Sequence, residues 1–72
     1  MKAVLFNGRW SIGNDQGRHL SKPVPYRGSY WLPPQAPKSV VRQYKSESAC
    51  KLAIKKIRPQ DIKGNADFKK IR

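Results

Sequence analysis

Carboxylates are scarce in this chain. Asp15, Glu47, Asp61 and Asp67 are the only four among 72 residues, against 16 Lys and Arg. Hydrolytic and transfer chemistry needs acids, bases or nucleophiles positioned in a water-excluding cleft. These four are scattered, and the single histidine, His19, has no carboxylate beside it in sequence to orient it. The chain therefore reads as a non-enzyme with no small-molecule substrate. Cysteine is reduced to Cys50, so no internal disulfide can form and nothing points to an oxidising compartment. One Cys and one His also fall short of a four-ligand structural zinc site. Neither Gly-x-x-x-x-Gly-Lys-Ser/Thr nor Gly-x-Gly-x-x-Gly occurs, and no cofactor is expected. Long apolar runs are missing as well: nothing approaches the ~20 residues of a membrane span. The start, Met1 to Phe6, is a short apolar run that meets Asn7-Gly8-Arg9, and is not read as a signal peptide. The expectation is a cytoplasmic protein with no membrane partner.

What is present in excess is positive charge, a formal net of +12. Like charges repel in the compact state, so the excess contributes nothing to folding and points outward to a polyanion, usually nucleic acid. The charge is uneven. From Lys38 to Arg72 there are 11 basic and three acidic residues, whereas Met1 to Pro37 has five and one.

Val4-Leu5-Phe6-Asn7-Gly8-Arg9-Trp10-Ser11-Ile12 predicts a hairpin, strand Lys2–Phe6 against Arg9–Ile12, because Asn-Gly suits both positive-φ positions of a type I′ turn. Gly13 to Gly17 is a loop by composition, and Arg18-His19-Leu20 begins a weak third strand. Five of the six prolines lie in residues 22–37 and exclude helix there. Tyr30-Trp31-Leu32 between Gly28-Ser29 and Pro33-Pro34 predicts a short strand at an edge. Pro33-Pro34-Gln35-Ala36-Pro37 reads as a spacer. Val40 to Tyr44, β-branched and aromatic, predicts another strand.

The clearest helix is Ser46 to Ile57, with Ser46 or Ser48 as N-cap and Pro59 closing it. Cys50, Ala53, Ile54 and Ile57 form a buried stripe, while Lys51, Lys55 and Arg58 share the same spacing on a basic one. Residues 60–64 suggest one further turn. The expected fold is a small α+β domain: an antiparallel sheet of the N-terminal hairpin plus one or two strands, one C-terminal helix and a basic flexible tail. The compact domain spans 1–58 and the tail 59–72.

Two residue sets are candidates for binding. The basic set, Lys51, Lys55, Lys56, Arg58, Lys63, Lys69, Lys70 and Arg72, has few acids interleaved to form i,i+4 pairs and continues to the last residue, which favours phosphate over a merely solvated face. The aromatic set includes Trp10 beside Arg9 and Tyr26-Arg27 ahead of Tyr30-Trp31. Most of these aromatics belong in so small a core. Basic and aromatic residues interleaved on a sheet also stack bases or form a protein-binding patch.

In size and plan, the chain resembles the small phage-encoded regulators that bind host RNA polymerase. Met1-Lys2-Ala3-Val4-Leu5-Phe6-Asn7-Gly8-Arg9-Trp10 matches their compact portion, and Lys51–Arg58 with Asp67-Phe68-Lys69-Lys70-Ile71-Arg72 matches their basic extension. The resemblance lies in organisation and implies two partners. RNA polymerase would be held by the N-terminal domain, with Phe6, Arg9 and Trp10 as its contacts. DNA or RNA, or the RNA exit path, would be met by the basic C-terminus. The implied action is inhibition of initiation or antitermination. The alternative expectation is a free-standing DNA- or RNA-binding module. It would be a three-stranded sheet reading DNA through Arg9, Arg18, Arg27 and Arg42, or a ribosome-associated protein.

Overall fold

A computed structural model describes residues 1–66. The α+β class holds. Five strands form one mixed sheet in the order β1-β2-β3-β4-β5: β1 Lys2–Phe6, β2 Arg9–Gly13, β3 His19–Leu20, β4 Ser29–Leu32 and β5 Ile62–Asn65. The one α-helix among the described residues, α1, spans Glu47–Lys56. No helix of the described residues is long and apolar enough to cross a membrane.

The hairpin forms as its turn dictates. Asn7 (φ 51°) and Gly8 (φ 77°) supply the two positive φ values, and β1 pairs with β2 from Lys2↔Gly13 to Phe6↔Arg9. In the loop that follows, the Asn14 side-chain oxygen accepts from the amides of Gln16 (2.9 Å) and Arg18 (3.0 Å), delivering His19 to Gly13. Strand alternation then splits the apolar residues between two faces. Ile12 and Leu20 meet Cys50 from α1, with Ala3, Trp10, Trp31, Ala53, Ile54, Ile57 and Ile62 around them. On the opposite face Leu32 packs with Ala36 and Val41, flanked by Phe6 and Val40. The proline-rich spacer thus contributes Ala36 to the second core.

The helix stripe packs as its spacing predicts. Ser46 is the N-cap, its hydroxyl accepting from the amide of Ala49 at 3.2 Å. The helix stops at Lys56, with Ile57 extended and its amide on the Ala53 carbonyl at 3.2 Å. Pro59 opens a short 3₁₀ turn, Pro59–Asp61, which feeds β5.

Three expectations change. Residues 62–65, expected in a turn and tail, form β5, parallel to β4 through Ser29↔Ile62 and Trp31↔Asn65. The amide of Ala66 also reaches the Trp31 carbonyl at 3.0 Å, so the compact fold extends past Arg58. Ile-Lys-Gly-Asn carries one apolar residue and a glycine, too little alternation to announce a strand. Consequently β4 is not an edge, since β5 covers its outer side. Val40 to Tyr44 forms no continuous strand, only single bridges, Val41 to Ser21 and Tyr44 to Trp10. The segment is shared between two strands that diverge: Tyr44 exchanges backbone hydrogen bonds with Trp10 (3.0 and 2.8 Å), while Arg42 donates to the Leu20 carbonyl (3.1 Å). The expected flexible end, 67–72, lies outside the described residues.

The 3₁₀ turn passes tightly over Gly28. A β-carbon there would lie 2.6 Å from the Asp61 carbonyl oxygen, and φ is +92°. Gly28→Ala therefore forces either backbone apart and should cost about 2 kcal/mol or more, lowering Tm by roughly 10 °C in a chain of this size. Gly8→Ala, at φ +77° with open space around it, should cost only the ~1 kcal/mol of left-handed strain. Thermal melts of the two variants by circular dichroism check the order.

Candidate nucleic-acid interface

Residues 1–66 carry 13 cations and three carboxylates. Two of those carboxylates are already engaged, Glu47 with Lys51 at 3.7 Å and Asp61 with Arg58 at 3.8 Å, both pairs well exposed. Exposed pairs of this kind contribute little to stability. The remaining positive charge has no partner within salt-bridge distance among the described residues.

The predicted basic set disperses. Lys51 and Lys55 lie on the exposed side of α1, and Lys55 and Lys56 occupy its last turn, where cations suit the negative end of the helix dipole. Arg58 is past the helix cap, off the stripe that its spacing with Lys51 and Lys55 suggested, and bonds back to Asp61. Lys63 lies on β5, its ammonium donating to the Gln60 carbonyl at 3.3 Å. Lys69, Lys70 and Arg72 lie outside the described residues. The predicted protein-contact set also divides. Phe6 packs against the Leu32 core and lies 4.6 Å, ring to ring, from His19. Trp10 packs on the other core, and only Arg9 is exposed. Phe6 and Trp10 thus hold the fold, on opposite faces of the sheet.

A sheet reading DNA through four arginines needs an open face and free side chains. Both faces are covered, one by α1 and the other by residues around Ala36 and Val41. Arg18 donates to the Trp31 carbonyl at 3.3 Å, and Arg42 Nε donates to the Ser21 carbonyl at 2.8 Å. Of the four arginines, Arg9 and Arg27 alone are exposed.

One open cleft, with a volume of about 370 Å³, does gather cations. Arg27 of the 24–28 turn, Arg42 of the 40–44 segment and Lys63 of β5 line it, beside Asp61. Its rim is the turn at residues 24–28, where Pro25 takes the second position and Tyr26 the third with φ 66°. The Val24 carbonyl closes this turn by accepting from Arg27 (3.0 Å) and Gly28 (3.1 Å). Composition hinted at the Tyr26-Arg27 pair. The meeting of that pair with Lys63 depends on β5, which sequence did not announce.

The nearest approach to a nucleophile–base pair is Ser11 Oγ with His19 Nδ1, at 2.7 Å. Ser11 is fully buried and His19 partly so, and the contact ties β2 to β3. Cys50 is likewise buried, its thiol donating to the Ser11 carbonyl at 3.3 Å, and burial followed by the nearby Glu47 charge pushes its pKa up. A thiol held protonated in a core is inert.

Burial lowers the His19 pKa from 6.5. The unfolded chain therefore binds a proton more readily than the folded one. The stabilisation from neutral His19 is complete above pH 6.5 and is lost as pH falls below it toward the folded value. Tm should fall as pH is lowered from neutrality through this window, and His19→Gln should flatten the dependence. Scanning calorimetry across the range checks this.

No family model matches the chain, and no curated protein and no solved structure does so. The functional reading rests on the surface itself.

Proposed function

We propose that this protein is a small cytoplasmic regulator of transcription. It binds nucleic acid through the cationic surface of α1, β5 and the 24–28 turn, and meets RNA polymerase at its free β1 edge. The observation that carries the nucleic-acid part is the count of 13 cations against three carboxylates, two of them already paired. A surface so short of counter-charge gains by releasing the counter-ions of a phosphate backbone.

The protein contact is supported by a second feature. Among the described residues β1 pairs only with β2, leaving one row of its backbone groups without a strand partner there. Edge strands are ordinarily blunted with charge or proline. On this one Leu5 is 68% exposed and Lys2 is the only charged side chain. Such an edge suits strand addition by a partner, and Arg9 at the hairpin end adds a polar contact. Inhibition of initiation and altered passage at terminators both follow from a cationic body held close to the nucleic-acid path.

Nucleic-acid affinity should fall steeply with salt, by close to one unit of log–log slope for each phosphate contact. The double variant Lys55→Ala/Lys56→Ala should keep the fold, weaken binding and reduce that slope by about two. Fluorescence anisotropy with a labelled oligonucleotide over a salt series measures it; a flat slope sinks the reading.

Purified bacterial RNA polymerase should be retained by the tagged protein after nuclease treatment, and Leu5→Lys should abolish the retention. Complete loss of polymerase on nuclease treatment would leave a free-standing nucleic-acid binder.

A further inference from the structure

Tyr26 is the least explained residue of the fold. It is an aromatic side chain with 108% relative exposure, so none of the described residues covers it. It also occupies a turn position where positive φ favours Gly or Asn, and its φ is 66°. A bulky residue held there costs free energy and recovers nothing by burial. Both costs fall on the rim of the cleft that gathers Arg27, Arg42 and Lys63.

Arg42 is the second unexplained group. It is half-buried, and its Nε–H and one terminal N–H are spent on the Ser21 carbonyl and the Ser29 hydroxyl. A guanidinium has five N–H donors in a planar fork. Three are left, and among the described residues no carboxylate lies within salt-bridge distance of them. The one acid in the cleft, Asp61, is engaged with Arg58. The cleft therefore holds an anchored, partly desolvated cation with free donors, two further cations in its lining, and an aromatic ring open to solvent.

We propose that this cleft is a binding site for single-stranded nucleic acid, with one base stacked on the Tyr26 ring and the adjoining phosphate held by Arg42, Arg27 and Lys63. The proposal rests on the nucleic-acid reading above and names the place where that reading acts. The cleft falls within the roughly 300–1,000 Å³ typical of ligand sites, and its open form suits a strand passing over it. A stacked base needs an unpaired strand, because in a duplex both faces are occupied by neighbours. Base–aromatic stacking tolerates any sequence, since every base has a π-face. The site would therefore supply a preference for single strands without a preference for sequence. Phosphate alone accounts for the cations and leaves Tyr26 unexplained.

The test uses the full chain and labelled oligothymidylate of roughly 12 nucleotides, within single-strand site sizes, read by anisotropy at low salt. An abasic oligomer of the same length and oligouridylate run alongside. Tyr26→Ala should weaken oligothymidylate binding on the order of 10-fold and leave the abasic oligomer unaffected. Tyr26→Phe and Tyr26→Trp should retain wild-type affinity. Tyr26→Gly relieves the positive φ, so it should melt no lower than wild type yet bind as weakly as Tyr26→Ala, separating folding from recognition. Arg27→Ala and Lys63→Ala should each weaken both oligomers and reduce the salt slope by about one. Equal Tyr26→Ala effects on oligothymidylate and oligouridylate support recognition through base and phosphate. An effect confined to one of them, since they differ in both the 5-methyl group and the 2′-hydroxyl, overturns sequence-tolerant stacking. Wild-type binding that ignores Tyr26, or an equal Tyr26→Ala effect on the abasic strand, overturns the cleft alone. Absence of any oligonucleotide binding overturns the nucleic-acid reading as a whole.

Discussion

The parallel pairing of β5 with β4 governs much of the arrangement. Until Ile62–Asn65 lies along Ser29–Leu32, β4 has an open edge and α1 has no return path to the sheet. Lys63 would then be remote from Arg27 and Arg42. The pairing in turn requires the 3₁₀ turn to cross the 24–28 turn at van der Waals limit, which Gly28 alone permits because it lacks a β-carbon. A parallel neighbour needs a long crossover connection, and residues 33–61 supply one. They cover one face of the sheet with Ala36 and Val41 and then the other with α1. Fold and cleft thus share one constraint.

Charge and core are kept apart by the same construction. The buried set is small, Ile12, Leu20, Leu32, Ala36, Val41 and Cys50, and the aromatic rings Trp10, Trp31 and Phe6 complete it from its margins. With so little interior, no cation could be buried without a partner, and nearly all of them are exposed. Arg18 and Arg42 are the intermediate cases. Each is anchored by a backbone carbonyl that takes one of its donors and leaves the charge uncompensated. A cation held in this way keeps its attraction for an external anion and gives up little conformational freedom on binding one, since its side chain is already fixed.

The same division of labour explains why Tyr26 differs from the other aromatics. Trp10, Trp31 and Tyr44 pack around the helix-side core, and Phe6 faces the second core. Each recovers by burial what its ordering costs. Tyr26 is fully exposed and recovers nothing from the described residues. At the β1 edge Leu5 is exposed as well. That edge lies at the far end of the strand order from β5.

Local chemistry determined the hairpin, the helix and its apolar stripe, and the excess of positive charge. Asn7-Gly8 admits one kind of turn, Ser46 caps the amides that follow it, and Cys50, Ala53, Ile54 and Ile57 recur at the helical period. These features depend on residues close in the chain, so they were legible there. The location of β5, the interior position of β4, the shared bridging of Val41 and Tyr44, and the packing of Phe6 and Trp10 were not. Each is settled by a partner far away in sequence, where a single apolar residue such as Ile62 carries no periodic signal. The cleft belongs to this second group. Tyr26, Arg27, Arg42 and Lys63 are spread over 38 positions of the chain, and only the tertiary crossing at Gly28 brings them to one place.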